Sequence, residues 1–281
     1  MRCKDHVVSS EQFDLWQCSD CNFRFIQNAP AENEIGRYYD SETYMSHATG
    51  KTGFFNSLYQ TARTYSVWWR YRVIKNSGAT TKGTLLDIGC GVGAFAAYMQ
   101  KKGWTVTALE PDADARKSAM ELYRLQAEPM ERMHQLPGES FDVITLWHVL
   151  EHVHDIHGYM EQIYRLLKKD GLLVIAVPNF TSTDAGHYKE YWDAYDAPRH
   201  LFHFSPTAML SITWQHGFSI INKKTFWLDA NYASLLSEQH IHGKARWVAA
   251  AWHALLSNLK AFTNKDKASA ITYLLKKKAA S

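Results

Sequence analysis

The chain has 281 residues, of which 46% are hydrophobic and 21% are charged, and its formal net charge is +3. This balance is typical of a globular protein and excludes a disordered or fibrous chain. The small net charge gives no strong indication of nucleic-acid binding.

The first thirty residues differ from the rest, because they hold three of the four cysteines and end in the turn-like Asn28-Ala29-Pro30. Two close pairs, Cys3-x2-His6 and Cys18-x2-Cys21, have the spacing and ligand types of a tetrahedral structural zinc site. We therefore predict a zinc-ribbon-like segment over residues 1–30, with Cys3, His6, Cys18 and Cys21 as ligands. The alternative is a degenerate ribbon that packs without metal.

The sequence also predicts where the protein resides. The N-terminus lacks the apolar run of a signal peptide, and the longest apolar stretches, Leu172–Pro178 and Trp247–Leu256, are too short to span a bilayer. With few cysteines and no export signal, we expect a cytoplasmic protein with no disulfide framework and no transmembrane segment.

After the cysteine-containing segment, we predict an N-terminal helical cap over residues 31–78. Within it, apolar residues at steps of three and four indicate an amphipathic helix over residues 54–75. Over residues 79–281, strands alternate with helices, which predicts a parallel sheet with right-handed crossovers. The predicted strands are Thr84–Ile88, Val106–Leu109, Phe141–Trp147, Leu172–Val177, Phe218–Phe226 and Ile271–Lys277, of which the last also permits a frayed helix. The predicted helices are Ala94–Lys102, Ala113–Tyr123 and about 158–168.

The most informative stretch is the glycine loop after the first of these strands, Asp87-Ile88-Gly89-Cys90-Gly91-Val92-Gly93. Glycines between a strand and a helix let the backbone approach a ligand, and the helix start offers free N–H groups. Nicotinamide enzymes use similar loops. Asp87 separates the two classes, since a carboxylate is a poor neighbour for a pyrophosphate but suits an ammonium group. Glu110, at the end of the next strand, can accept hydrogen bonds from ribose hydroxyls.

Four motifs in chain order resemble those of class I S-adenosylmethionine-dependent methyltransferases, over roughly residues 35–281. They are Leu85–Phe95, Leu109-Glu110-Pro111-Asp112, Phe141–Val153 and Asp170–Asn179. The third is similar to the subgroup that includes ubiquinone-biosynthesis O-methyltransferases. The resemblance implies a Rossmann-like α/β fold with a seven-stranded, mostly parallel sheet and helices on both faces.

The resemblance also implies which residues hold the cofactor. The methionine portion falls to Asp87 and the loop residues Gly89, Cys90, Gly91 and Gly93, and the ribose to Glu110 beside Pro111. Trp147 and His148, after the fourth strand, complete the implied cofactor pocket. Residues 130–137, where the family usually supplies an adenine contact, contain no Asp.

Four histidines stand where an acceptor would bind. His148 and His152 follow the fourth strand, and His200 and His203 follow the fifth, at strand ends where ligands bind in this architecture. Each has a structural interpretation, such as packing or capping. A base is useful for a hydroxyl acceptor, so we predict that at least one of the four faces the acceptor.

The sequence therefore predicts a methyltransferase acting on a hydroxyl of a small or lipid-like molecule. Leu146-Trp147-His148-Val149 replaces the Asn-Pro-Pro-Tyr type of motif that grips amino groups in adenine and glutamine methyltransferases. One alternative is a macromolecule methyltransferase that uses the N-terminal ribbon for docking. Others are a nicotinamide-dependent oxidoreductase and a non-catalytic cofactor-binding protein. The acceptor and the oligomeric state stay open.

Overall fold

A computed structural model describes residues 1–39, 54–80 and 82–278, with the backbone alone for 54–59. The part of the predicted cap at 40–53 lies outside the described residues. The strands are β1 (Arg2–Lys4), β2 (Gln12–Gln17), β3 (Arg24–Ile26), β4 (Thr84–Ile88), β5 (Thr105–Leu109), β6 (Phe141–Trp147), β7 (Leu167–Pro178), β8 (Phe202–His203), β9 (Phe218–Lys224) and β10 (Ala270–Lys277). The helices are α1 (Phe54–Lys75), α2 (Ala94–Lys101), α3 (Ala113–Tyr123), α4 (Ile156–Leu166), α5 (Thr183–Tyr188), α6 (Pro206–Gln215), α7 (Trp227–His242) and α8 (Trp247–Thr263). None of these helices is long and apolar enough to cross a membrane.

The larger sheet has the order β5-β4-β6-β7-β10-β9. Its first four strands are parallel, and β10 runs antiparallel to both β7 and β9. This confirms the Rossmann-like, mostly parallel sheet and places Ile271–Lys277 in a strand. It also brings the carboxyl ends of β4, β5 and β6 to one edge, where ligands bind in this architecture.

The predicted seventh strand is wrong for the described residues, which form a sheet of six. At the free edge of β5, Glu128 makes one parallel bridge to Leu109. The next residue is Pro129, which has no N–H to continue the ladder. The chain therefore leaves the sheet after a single residue.

Helices cover both faces of this sheet, as expected. Leu85 and Leu86 are adjacent in β4, both fully buried, and belong to different core clusters because successive strand residues point to opposite faces. Leu86 packs in the cluster that includes α4 and α6, and Leu85 in the cluster that includes α1 and α2. The side chains on both faces of β4 are therefore packed in the core, and this packing holds in place the strand that leads into the glycine loop.

The N-terminal segment forms a second, antiparallel sheet of order β1-β2-β3-β8. Its last strand comes from the chain after β7, and its core joins Cys3, Phe13 and Leu15 to Tyr188, Trp192 and Tyr195. The Arg199 guanidinium, also from that later segment, lies 3.1 Å from the Asp5 carboxylate, and both side chains are buried. The segment is therefore part of one wall of the molecule. The boundaries at residues 30 and 78 stay predictions.

The four predicted zinc ligands are not brought together as one group. Cys3, His6, Cys18 and Cys21 are absent from the groups of described residues whose ligand atoms approach within 4.8 Å. Burial raises the pKa of the Cys3 thiol to about 12, and the His6 ring stacks on that of His240 with centroids 4.4 Å apart. The structure thus gives no support to a zinc site here. Core packing and the Arg199–Asp5 ion pair hold the segment in place.

Candidate active site

The candidate cofactor site begins at Asp87 in β4. Its carboxylate is buried and accepts a hydrogen bond of 2.6 Å from the hydroxyl of Thr145, the residue beside it on β6. Burial raises the pKa of Asp87 to about 7, although the Thr145 hydrogen bond and the charge of Arg70 lower it. Such a carboxylate gains most from a ligand that brings a positive charge.

The glycine loop combines one closely packed position with one open position. At Gly89, with φ +68°, an added Cβ would lie 2.4 Å from the side chain of Val149. At Gly91, with φ +55°, an added Cβ would meet no atom within 4 Å. Gly89 thus packs against the loop after β6, whereas Gly91 borders open space. That space, beside the start of α2, fits a ligand contacted by backbone N–H groups.

Glu110 closes the site on the side of β5. Its carboxylate accepts hydrogen bonds from the backbone N–H of Gly91 at 2.7 Å and of Asp112 at 3.1 Å. Burial raises its pKa, against the effect of these two hydrogen bonds. Arg116 donates to the carbonyl oxygens of Glu110 and Pro111, which fixes this turn. Cys90, between Gly89 and Gly91, has a thiol whose pKa is raised by burial.

The loop after β6 begins with Trp147 and His148. The Trp147 ring is buried edge-on against Phe95, with centroids 5.5 Å apart, and the Arg70 guanidinium lies 5.0 Å from its centre. His148 has φ +57°, a left-handed conformation that is uncommon outside glycine. Its side chain is only about a third exposed, at 36%. Residues with strained backbones are concentrated at functional sites, so this conformation makes His148 a candidate site residue.

His148 is paired with Glu151. Its Nδ1 lies 3.4 Å from Oε1 of Glu151, whose side chain is 1% exposed. Neither carboxylate oxygen of Glu151 accepts a well-formed hydrogen bond from the described residues. Burial alone would lower the pKa of His148, but Glu151 outweighs it and the pKa is raised. Burial would likewise raise the pKa of Glu151, but the imidazole outweighs it and the pKa is lowered.

The other three predicted histidines lie beside this pair. The rings of His152 and His200 meet edge to face, with centroids 4.6 Å apart, and His203 lies 6.5 Å from His200. The ligand atoms of Glu151, His152 and His200 all lie within 4.8 Å of one another, so these residues could hold a metal ion. The segments after β6 and β7 meet here because Leu201 N donates to Glu151 O at 2.8 Å.

Burial distinguishes these histidines chemically. It lowers the pKa of His152 to about 4 and that of His203 well below its usual value. His203 is buried on β8, and its Nε2 has no hydrogen-bond partner in the described part of the chain. His152 and His203 are therefore neutral at physiological pH, whereas His148 combines a raised pKa with a partly exposed side chain.

Two charged residues of the site escaped the sequence analysis. Arg70 in α1 acts on Asp87, and Asp229, in the first turn of α7, acts on His148 and Arg70. The available signal for Arg70 was weak, since it is a basic residue that directly follows Trp69 of the apolar stripe of the predicted helix. Asp229 lies in a helix that the sequence analysis did not predict, so no signal pointed to it.

Comparison with known proteins agrees with this geometry. The model of a family described as "Methyltransferase domain" matches residues 66–223, more than half of the chain. The chain belongs to this family. The chain therefore contains a methyltransferase domain, and this match does not favour the oxidoreductase alternative.

The ubiquinone biosynthesis O-methyltransferase of Aeromonas salmonicida (strain A449) is 30% identical over 169 residues, covering 57% of this chain and 65% of that protein. The protein of the same name from Glaesserella parasuis serovar 5 (strain SH0165) is 35% identical over 109 residues, covering 35% and 46%. The matches thus span about half to two thirds of these relatives.

Solved structures show the same fold at low identity. The [4+2]-cyclase SpnF superposes with a TM-score of 0.58 at 16% identity, covering 90% of this chain and 98% of that one. Phosphoethanolamine N-methyltransferase 2 of Haemonchus contortus, in complex with S-adenosyl-L-methionine, superposes at 0.55 with 17% identity, covering 92% and 62%. One of these is named a cyclase and the other an N-methyltransferase, so the acceptor has to be argued from the site.

Proposed function

We propose that this methyltransferase transfers the methyl group to a hydroxyl oxygen of a small or lipid-like molecule, with His148 as the base. The observation that supports this most is the His148–Glu151 pair at the carboxyl end of β6, next to the glycine loop. The names of the relatives, ubiquinone biosynthesis O-methyltransferases, agree with a hydroxyl acceptor.

The cofactor fits the residues on this edge of the sheet. The open position at Gly91 leaves a space that a side chain would otherwise fill. In it, Asp87 would take the ammonium group of the methionine portion, Arg70 its carboxylate and Glu110 the ribose hydroxyls. The loop residues Gly89, Cys90 and Gly93 would border the same portion, with Pro111, Trp147 and His148 completing the pocket. When bound, S-adenosylmethionine supplies a methyl carbon activated by the adjacent sulfonium.

The chain itself has to orient the acceptor and remove its proton. His148 would take the hydroxyl proton at Nε2 as the acceptor oxygen receives the methyl group that the bound cofactor would supply. Glu151 holds Nδ1 and stabilises the imidazolium as it forms. His152, His200 and His203 would shape the acceptor wall, because their rings adjoin Glu151 while burial keeps two of them neutral.

The macromolecular alternative depends on the N-terminal segment as a docking module. That segment shares a sheet with β8 and a buried ion pair with Arg199, so it is built into the wall beside the histidines. It is therefore better suited to shaping a pocket than to projecting toward a distant partner.

The test is a screen of phenols, catechols and hydroxylated lipids as methyl acceptors, with labelled cofactor. The turnover of H148Q and E151Q is then measured with the acceptor that the screen finds. Loss of a positioned base typically costs about 10²–10⁴-fold in rate. We expect H148Q to show such a loss with cofactor affinity kept within a few-fold, and E151Q a smaller one. H216Q is the control, because His216 is hydrogen-bonded to His157 and is not one of the residues proposed for the site. Turnover of H148Q within a few-fold of the native enzyme would exclude His148 as the base.

A further inference from the structure

A second group of potential metal ligands lies away from the proposed active site, where α5, α7 and α8 meet. It consists of His187 in α5, Glu238 in α7 and His253 in α8, whose ligand atoms all lie within 4.8 Å of one another. The imidazole rings of the two histidines are stacked with centroids 3.6 Å apart. Three helices thus converge on three side chains of metal-binding type.

Glu238 is the unusual member of this group. Its side chain is 4% exposed, and Oε2 has no hydrogen-bond partner in the described part of the chain. The nearest cationic atoms, on His242 and Arg246, are 3.5 and 3.8 Å away, and the Tyr188 hydroxyl reaches the other oxygen at 3.4 Å. Buried carboxylates normally are fully paired or coordinate a metal.

We propose that His187, Glu238 and His253 bind a divalent transition metal, with zinc the best match, and that the ion fastens α5 to the α7–α8 hairpin. Two imidazoles and one carboxylate are ligands that zinc accepts, with water in the fourth position. The proposed methyl transfer uses none of these residues, so we expect the ion to act on the stability of this helix junction.

The experiment is a titration of the full-length protein with Co²⁺, followed by visible absorption, and metal analysis after zinc loading. We expect one equivalent bound, a raised melting temperature, and loss of both in H187Q, H253Q and E238Q. H157Q is the matched control, because His157 also pairs with a histidine, at 2.9 Å, but outside any group of three ligands. H200Q tests whether the cobalt instead binds the group of Glu151, His152 and His200, and we expect this variant to keep its cobalt.

If E238Q fails to fold by circular dichroism, the exposed His187 still allows the test. Three results would each overturn the proposal: no metal bound by the native protein, cobalt kept in both H187Q and H253Q, or cobalt lost in H157Q.

Independently, the outer face of α8 carries an apolar stripe at steps of four and three residues. Val248 and Phe262, at the two ends of the stripe, are 87% and 91% exposed, and the other three stripe residues are at least half exposed. The stripe consists of Val248, Trp252, Leu255, Leu259 and Phe262. A water-facing helix surface normally carries polar residues, so a contiguous apolar face marks an interaction site.

Charge indicates what covers this stripe. Residues 239–265 contain no Asp or Glu, and Lys244, Lys260 and Lys265 are exposed around the stripe. A second copy of this helix would bring the same positive charges against them. An anionic lipid surface would instead neutralise them, and an apolar face with Trp and flanking lysines is typical of a helix that lies in a membrane interface.

We infer that α8 docks this protein on the surface of an anionic phospholipid bilayer, with the stripe at the boundary between headgroups and acyl chains. This inference does not depend on the identity of the methyl acceptor. It would place the active site near acceptors that partition into the bilayer.

The test is co-sedimentation with phosphatidylglycerol–phosphatidylcholine vesicles and with phosphatidylcholine alone. We expect binding to the anionic vesicles, weakened by salt, and at least tenfold weaker in W252S and F262S. W16S is the matched control, since Trp16 is 56% exposed against 58% for Trp252 but lies in β2. Equal binding to both vesicles, an equal loss in W16S, or a dimer that W252S dissociates with no lipid binding would each overturn the inference.

Discussion

The proposed cofactor side and the proposed acceptor side of this protein are built in different ways. On the cofactor side, Asp87, the glycine loop and Glu110 come from two consecutive strand–loop units within 24 residues of sequence. On the acceptor side, Arg199 contacts Asp5 and the Tyr38 carbonyl across 194 and 161 positions. Local motifs therefore determine the first region, whereas the second depends on contacts between distant segments. Changes to each side should accordingly have separable effects.

The largest effect is expected from Arg199→Met. The substitution leaves the buried Asp5 carboxylate without its cationic partner, and breaking a buried ion pair by removing one member costs about 3–5 kcal/mol. Arg2→Met is the matched control. Arg2 pairs with Asp14 at 2.9 Å within the N-terminal sheet, but both of these side chains are exposed. That pair should contribute about 0–1 kcal/mol. Urea unfolding of both variants gives the comparison, and equal losses would contradict it.

On the cofactor side, Glu110→Ala should weaken cofactor binding. We also expect a loss of folding stability smaller than that of Arg199→Met, because the backbone N–H groups of Gly91 and Asp112 lose their acceptor. Hydrogen bonds to a charged group contribute about 1.5–3 kcal/mol, which corresponds to roughly one to two decades of affinity. Calorimetry with S-adenosylmethionine measures this directly. Unchanged affinity would remove Glu110 from the cofactor site. Asp112→Ala, two residues further along the same turn, serves as the neighbouring control.

The same contrast explains what the sequence could predict. Phe141–Trp147 and Ala113–Tyr123 have the predicted bounds because burial and helix periodicity are local signals. The helices α7 and α8 were not predicted, since their exposed apolar residues obscure the amphipathic pattern. The zinc prediction relied on cysteine spacing, and no local pattern indicated that Asp5 would pair with Arg199 instead. The pairing of His148 with Glu151, three residues away, is a local contact. Residue spacing alone, however, could not distinguish His148 from the other three predicted histidines.

A smaller effect should separate two glycines of one loop. Gly89→Ala combines a left-handed backbone with a contact of 2.4 Å to Val149, and we expect a loss of about 1–3 kcal/mol of stability. Gly91→Ala has the same backbone cost but no contact, so its stability should fall less while cofactor affinity falls more. Thermal unfolding and calorimetry on both variants test this. If Gly91→Ala binds cofactor normally, the open position is not where the ligand lies.

The smallest effect is a pH dependence that originates at Asp87. Its pKa is raised from 3.8 to about 7 by burial, so the folded protein holds a proton that the unfolded chain has released. Between these two values the unfolded state binds fewer protons, and stability falls as pH rises. Asp87→Asn removes the titration while keeping an acceptor for the Thr145 hydroxyl. Without cofactor, the variant should therefore gain on the native protein by about 1 kcal/mol between pH 6 and pH 8. With cofactor present the order should reverse, because the native carboxylate then pairs with an ammonium group that the amide cannot neutralise. Melting temperatures at both pH values, with and without S-adenosylmethionine, measure the two signs. A stability difference that is independent of pH would show that Asp87 is ionised in the folded protein without its ligand.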